Sequence, residues 1–167
     1  MARNIEATYI EEVAVRIEID DLSRKEVHDL LREHLENMRA ITPPGSVHAL
    51  DLERLRAPEI TFWTAWDEGD GGLLGCAALK GWGAEFGEVK SMRTPAARRR
   101  QGAGRVLLAH VIAEARGRGY QRLHLETGAA EGFRPARALY ESFGFVYGGP
   151  FGDYKPDPNS VFMWLAL

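Results

Sequence analysis

The sequence predicts an α/β fold in which a mixed, mostly antiparallel sheet of about seven strands is flanked by about four helices. Apolar residues alternate in some segments and recur at helical spacing in others, and the two kinds of segment follow one another along the chain. An early hairpin and a late pair of strands make the sheet mixed rather than fully parallel. The 167 residues fit one domain, taken as residues 1–167.

The first half of the chain predicts a strand, a helix and a hairpin. Residues Glu12 to Ile19 alternate between apolar and polar side chains, as a half-buried strand does. Ser23 is placed to cap the following helix, with Glu26 at the capping-box position, and this helix ends before Pro43. The next predicted elements are one or two helical turns over Leu50 to Leu55, a strand over Ile60 to Trp66, a turn over Asp67 to Gly72 and a strand over Leu73 to Leu79.

The second half predicts a strand, loop and helix unit, followed by a short strand, a second helix and two closing strands. Apolar spacing and bounding glycines predict these elements. In order they are a strand over Glu88 to Thr94, a helix from Val106 to Ala115 closed by Gly117 and Gly119, a strand over Leu123 to Glu126, a helix over Pro135 to Phe143 stopped by Gly144, and strands over Phe145 to Tyr147 and Val161 to Leu165.

Composition narrows the class of protein. Apolar residues make up 45% and charged residues 27% of the chain, as in ordinary globular proteins, and no apolar run approaches the ~20 residues of a membrane span. A single cysteine, Cys76, excludes an internal disulfide, and the N-terminus has no secretion-signal pattern. We therefore expect a cytoplasmic protein.

Positive charge is concentrated in one stretch, although the net charge is only −3. From Val89 through Ala113 there is no acidic residue, and six lysines and arginines fall there. Within it, the string Arg99-Arg100-Gln101-Gly102-Ala103-Gly104 lies between a predicted strand and a predicted helix. Glycines let the main chain bend and bring its N–H groups close to an anion at the positive end of a helix. This geometry suits a phosphate, with added hydrogen bonds from Arg99 and Arg105.

These residues resemble the GCN5-related N-acetyltransferases, whose signature is Arg/Gln-x-x-Gly-x-Gly/Ala on a strand, loop and helix unit. Arg99, Gly102 and Gly104 occupy its fixed positions. A second family pattern follows at the right distance, Ala136-Arg137-Ala138-Leu139-Tyr140 and then Gly144-Phe145. Further strings resemble a bacterial subgroup with mostly unidentified acceptors, some of whose members are linked to indole-3-acetic acid metabolism. They are Ala78-Leu79-Lys80, Lys90-Ser91-Met92-Arg93-Thr94, Leu125-Glu126-Thr127-Gly128 and Asp157-Pro158-Asn159-Ser160.

The resemblance implies an acetyltransferase that passes an acetyl group from acetyl-CoA, its cosubstrate, directly to an amine in a ternary complex. It places Tyr140 as the acid that protonates the departing thiolate, and main-chain groups of Met92 and Thr94 against the acetyl carbonyl and pantetheine. Where many members have asparagine, seven residues before the tyrosine, this chain has Phe133. The residues assigned to the cofactor are Met92, Arg93, Thr94, Arg99, Arg100, Gln101, Gly102, Ala103, Gly104, Arg105, Phe133 and Tyr140.

An alkyl amine with pKa near ~10.4 must lose a proton before it attacks a thioester, so a carboxylate is needed as base. Glu88 is the first candidate and Glu126, on the adjacent strand, the second; either could instead be a strand-end glutamate in a salt bridge. Aromatic residues such as Trp82 and Phe86 could line an acceptor pocket, although aromatics in strands are more often core.

Two other functions stay open at this stage. The chain could bind an acyl-CoA without transferring anything, which the missing asparagine at Phe133 would allow, or bind nucleic acid through the Arg98 to Arg105 stripe, which steep salt dependence would reveal. We expect a small-molecule or peptide amine as partner rather than nucleic acid or membrane, and family members often form homodimers. The five histidines show no ligand spacing, so no metal is expected.

Overall fold

The computed structural model describes residues 8–10, 13–46 and 52–167. Within this part of the chain, eight strands form one sheet in the order β1-β2-β3-β4-β5-β6-β8-β7. The strands are β1 (Thr8–Ile10), β2 (Val13–Ile19), β3 (Ile60–Asp67), β4 (Leu73–Trp82), β5 (Phe86–Arg93), β6 (Arg122–Gly128), β7 (Val146–Gly148) and β8 (Ser160–Ala166). The helices are α1 (Lys25–Ile41), α2 (Leu52–Leu55), α3 (Ala103–Gly117) and α4 (Arg134–Ser142). Every neighbouring pair is antiparallel except β5 and β6. The predicted mixed, mostly antiparallel sheet with flanking helices is therefore confirmed.

Helices cover both faces of the sheet. Val27 and Leu30 of α1, with Leu55 of α2, pack against apolar side chains of β3 and β4 on one face. On the other face, α3 and α4 pack through residues such as Leu107, which is fully buried, and Tyr140. Truncating a buried leucine such as Leu107 to alanine typically costs about 2–5 kcal/mol of stability. Side chains that point to the α1 face and those that point to the α3 face alternate along each central strand.

The predicted start of α1 is wrong. Ser23 does not cap the helix, because its hydroxyl and its N–H both donate to Asp21 Oδ1, at 2.5 and 3.0 Å. The helix instead begins at Lys25, with Arg24 at the cap position and no side-chain cap. A local turn at Asp21 thus competes with the capping box for the same serine.

The other differences concern element bounds. Strand β4 ends at Trp82 and strand β5 begins at Phe86, and these two residues pair with each other. The hairpin is therefore longer than the sequence predicts. The short strand β1 was not predicted. Three predicted positions, Glu12, Leu50 and Asp51, lie outside the described residues.

Candidate active site

The sheet opens between β5 and β6. Their pairing runs only from Phe86 opposite Arg122 to Glu88 opposite His124. Because β5 continues to Arg93 and β6 to Gly128, the two strands diverge beyond Glu88. The main-chain groups on the open side of β5 lack a strand partner there, and such groups can bind an extended ligand as an added strand would.

A β-bulge shapes the open part of β5. Opposite the step from Cys76 to Ala78 on β4, the chain of β5 runs from Arg93 to Lys90 and so has one extra residue. Ser91 adopts a φ of 52°, a left-handed conformation that is uncommon outside glycine. Its carbonyl accepts a hydrogen bond from the Cys76 thiol at 3.2 Å. Because a bulge bends and twists its strand, it re-aims the main chain just before the predicted cofactor-binding residues.

The glycine turn leads directly into α3. Gly102 is the cap residue of this helix with a φ of 88°, and Arg100 before it has a φ of 63°. No side chain caps α3, and its first turn contains no acidic residue. The first N–H groups of the helix therefore point outward without an intrahelical partner. At Gly104, a Cβ atom would lie 3.2 Å from Leu139 Cδ2, so a glycine lets α4 approach α3 closely.

The arginines near this turn do not form one free patch. Arg98 is bound by the β3–β4 turn, 3.2 Å from Asp67 Oδ2 and 2.5 Å from Asp70 Oδ2. Arg105 donates to Ser142 Oγ at 3.0 Å and lies over the Phe143 ring. Arg99 and Arg100 are exposed at the start of the turn. Part of the acid-free stretch is thus neutralised by acids from elsewhere in the chain, and Arg99 and Arg100 remain at its surface.

Glu88 lies at the point where β5 and β6 separate, and it is 1% exposed. One carboxylate oxygen accepts from Trp82 Nε1 at 3.0 Å, and the other accepts from Lys90 Nζ at 2.9 Å and Tyr154 Oη at 2.7 Å. Lys90 also donates to Tyr154 Oη at 2.9 Å. These three donors occupy both oxygens of the carboxylate and leave little of it free to accept a hydrogen bond from a substrate.

Glu126 lies on the diverging part of β6, beyond the last residue that pairs with β5. Burial raises the pKa of Glu126 from an ordinary 4.5 to about 7, an effect that the charge of Lys90 opposes. A carboxyl with this pKa is divided between its two protonation states near neutral pH. Such a group can accept a proton and release it again.

Tyr140 lies on α4 and is 7% exposed. Its ring packs edge to face with Phe145, with centroids 5.7 Å apart. Burial, and then the charge of Glu126, raise the pKa of Tyr140 above its usual range, so its hydroxyl stays protonated at neutral pH. The effect of Glu126 on this pKa indicates that the two side chains lie within electrostatic range of each other.

Phe133 fits against the end of β6. A Cβ atom on Gly128 would lie 2.1 Å from the Phe133 ring, so the ring occupies the space that this glycine leaves. The carbonyls of Gly128 and Ala130 instead accept hydrogen bonds from Arg137 Nη1, at 2.7 and 3.0 Å. Arg137 therefore donates hydrogen bonds to main-chain carbonyls near the position where many family members have asparagine.

A cavity of about 420 Å³ lies on the α1 face of the sheet beside the opening. Trp82, Glu88 and Lys90 form its floor; its other lining residues are Gly45, Lys80, Asp153, Tyr154, Lys155, Pro156 and Asp157. A hydrogen bond of 2.5 Å from Ser46 Oγ to Asp157 Oδ2 ties the loop after α1 to the loop before β8 across the cavity. The cavity and the turn before α3 thus approach the opening from opposite faces of the sheet.

Two residues that contact Glu88, Lys90 and Tyr154, were not predicted as site residues. Lys90 could have been found, since it lies two residues from Glu88 and so shares its face of the strand. Tyr154 contacts Glu88 from a loop 66 residues away, and no local sequence pattern predicts this contact.

The described residues were also compared with the requirements of a metal site and of a membrane span. They contain no group of three or more His, Cys, Asp or Glu side chains arranged to hold a metal ion. None of the helices in this part of the chain combines the length and the hydrophobicity of a transmembrane segment.

Comparison with known proteins matches the chain to one family. The model of the acetyltransferase (GNAT) family matches residues 25–145. The uncharacterised N-acetyltransferase YsnE of Bacillus subtilis is 57% identical over 153 residues, which are 92% of this chain and 100% of that protein. The uncharacterised N-acetyltransferase YedL of Escherichia coli is 42% identical, over 90% of this chain and 94% of that protein. The IAA acetyltransferase of Azospirillum brasilense is 39% identical, over 84% and 90%.

Solved structures share the architecture. A Klebsiella pneumoniae protein assigned as an acyl-CoA N-acyltransferase superimposes with a TM-score of 0.74 at 27% identity, over 92% of this chain and 97% of that chain. A Bacillus subtilis acetyltransferase solved in complex with CoA gives a TM-score of 0.66 over 92% and 99%; at 19% identity this likeness shows the fold alone.

Proposed function

The chain belongs to the acetyltransferase (GNAT) family, and we propose that it transfers the acetyl group of acetyl-CoA directly to an amine in a ternary complex. As a member it is an N-acetyltransferase with acetyl-CoA as its cosubstrate. This argues against the alternative of a module that binds an acyl-CoA and transfers nothing. One observation carries the finer proposal: the sheet opens beside Glu126, between the uncapped start of α3 on one face and a cavity on the other.

We assign the diphosphate of the cosubstrate to the turn before α3. The main-chain N–H groups that follow Gly102 and the exposed Arg99 and Arg100 would hold it, since a helix N-terminus and arginine both favour phosphate. The pantetheine arm would then run along the unpaired side of β5 at Met92 and Thr94. This path brings the thioester to the opening of the sheet.

We assign the general base to Glu126 rather than to Glu88. Trp82, Lys90 and Tyr154 already donate to Glu88, whereas the Glu126 carboxyl has a pKa of about 7. A base is most effective when its pKa lies near the working pH. Glu126 would take the proton of the amine, directly or through one water, as nitrogen attacks the thioester carbon. Glu88 would hold Lys90 and the cavity floor in place.

Tyr140 supplies the proton to the departing thiolate of coenzyme A in this mechanism. Its hydroxyl is protonated at neutral pH and donates a hydrogen bond to the sulfur as negative charge develops there. Because the raised pKa makes Tyr140 a weak acid, the transfer is completed as Tyr140 regains a proton from solvent. The ammonium form of the acceptor first loses one proton to solvent. The nitrogen–carbon bond then forms and the carbon–sulfur bond breaks, while a second proton passes from nitrogen to Glu126 and the sulfur gains a proton from Tyr140. Solvent restores the proton of Tyr140, and Glu126 releases its proton to solvent.

The chemistry of Cys76 supports direct transfer over an acetyl-cysteine intermediate. It is the one cysteine of the chain, it has no exposed surface, and its thiol donates to the Ser91 carbonyl. Burial raises the pKa of this thiol to about 12, so no thiolate is present at neutral pH to attack a thioester.

Initial-rate kinetics test the proposal. Release of free coenzyme A is followed with a panel of amines while both substrates are varied. We expect rate plots whose lines intersect, as for a ternary complex, whereas parallel lines would indicate an acetyl-enzyme and refute direct transfer. Binding of acetyl-CoA is measured separately by calorimetry. Protein that gives no heat with acetyl-CoA at millimolar concentration would refute the assigned cofactor site.

A further inference from the structure

We propose that the amine acceptor also carries a carboxylate, that a spacer of several atoms separates the two groups, and that Lys80 binds the carboxylate. The inference rests on the proposed function, because it takes Glu126 as the point at which the amine reacts. It concerns the chemical class of the acceptor, which the mechanism above leaves open.

The charge of Lys80 is not balanced by its nearest acid. Lys80 on β4 lies directly opposite Glu88 on β5, and both line the cavity. The carboxylate of Glu88 is nevertheless occupied by the donors described above, including a second lysine, Lys90. The Lys80 ammonium instead lies over the Trp82 ring, 4.1 Å from its centroid, and no acid of the described residues forms a salt bridge with it. Because Lys80 is half-buried, solvent screens its charge less than that of a surface lysine.

The other charged residues of the cavity do not take this role. Lys90 is paired with Glu88, and its side chain is only 10% exposed. Asp157 accepts hydrogen bonds from Ser46 and from the Asn159 N–H. Asp153 and Lys155 are both exposed at the rim, where water and salt weaken either charge. Among the described residues that line the cavity, Lys80 is thus the cation that an anionic ligand would neutralise most effectively.

The order of the strands sets how far apart the main chains of Lys80 and Glu126 lie. Lys80 lies on β4 and Glu126 on β6, with β5 between them. Two spacings between strands amount to roughly 10 Å, and the divergence of β6 adds to this. Across this main-chain separation, we expect an acceptor that spans several atoms to reach both residues more readily than an α-amino acid, whose amine and carboxylate share one carbon. A longer ω-amino acid or a dipeptide can do so, and the Trp82 and Tyr154 rings that line the cavity would contact its spacer.

A series of ω-amino acids tests both the charge and the length. Each acid, from glycine to 7-aminoheptanoate, is compared with the alkylamine of the same length that lacks the carboxylate, by release of free coenzyme A. We expect the acid to be preferred in kcat/KM for the longer members and not for glycine. In Lys80→Gln the preference should fall by roughly 10–100-fold, mainly through a higher KM for the acid, as expected for loss of a hydrogen bond to a charged group. Lys25→Gln, which removes an exposed lysine of α1, is the matched control and should keep the preference.

The outcomes separate this inference from the proposed function. Turnover of alkylamines with no preference for any acid, or a preference that Lys80→Gln leaves intact, would overturn the inference and leave the acetyltransferase proposal standing. A preference that is greatest for glycine would overturn the spacing. No turnover of any amine, together with no binding of acetyl-CoA, would refute the proposed function and this inference with it.

Discussion

Replacing Glu126 by glutamine is expected to make the folded protein more stable at pH 8 and almost inactive. The Glu126 side chain is half-buried, and burial raises its pKa from 4.5 to about 7. Between these two values the folded protein holds the proton that the unfolded chain has released. Stability is therefore lost as the pH rises from 4.5 towards 7, because the unfolded state binds fewer protons there. Glutamine has almost the same shape without the charge, so the variant escapes this loss.

The size of the effect follows from the pKa. A rise from 4.5 to about 7 corresponds to about 3 kcal/mol of unfolding free energy once the pH exceeds 7, and to almost nothing at pH 4. Urea unfolding of wild type and Glu126→Gln at both pH values measures the difference. Glu36→Gln, an exposed glutamate of α1, is the control and should change neither value.

The same variant tests the role of Glu126 in catalysis. If Glu126 is the base, wild-type kcat/KM rises with pH through about 7, as the carboxyl loses its proton. Glu126→Gln should lack this limb and be slower by about 10²–10⁴-fold. A variant that is no more stable than wild type at pH 8 would contradict the raised pKa. A variant that keeps both its rate and its pH limb would exclude Glu126 as the base.

Three more predictions follow from single residues. Tyr140→Phe should lower kcat about 10-fold or more while the KM for acetyl-CoA changes little, and steady-state kinetics would exclude Tyr140 as the acid if kcat were unchanged. Gly102→Ala, at a φ of 88°, should lose about 1–2 kcal/mol in urea unfolding and bind acetyl-CoA more weakly by calorimetry. Gly117→Ala, whose new Cβ meets nothing within 4 Å, is its control and should keep both properties. Cys76 should react with a thiol reagent only at the rate of unfolding, because it is fully buried with a pKa of about 12, and rapid labelling of folded protein would contradict this.

Much of the fold could be predicted because its signals are local. The alternation over β2 and the helical spacing over α3 each depend on residues a few positions apart, and the glycine turn before α3 is a continuous string. The cap of α1 was mispredicted for a reason that is also local in the sequence. The Ser23 hydroxyl can bind either the first turn of the helix or Asp21, and the sequence pattern does not show that the bond to Asp21 forms instead.

The sequence by itself determined the family, the cosubstrate and the turn that we assign to the diphosphate, because each depends on a short motif in fixed order. Only the tertiary structure distinguished Glu88 from Glu126 as a candidate base. Both are strand glutamates in sequence, and they differ in what lies around them. Glu88 accepts a hydrogen bond from Tyr154 of a distant loop, whereas Glu126 lies half-buried where the strands diverge. The same holds for Lys80, whose charge has no acidic partner among the described residues because other donors, among them Trp82 and Lys90, occupy the Glu88 carboxylate. The protonation state of a carboxyl and the pairing of a charge are set by burial and by long-range neighbours, and these exist only once the chain has folded.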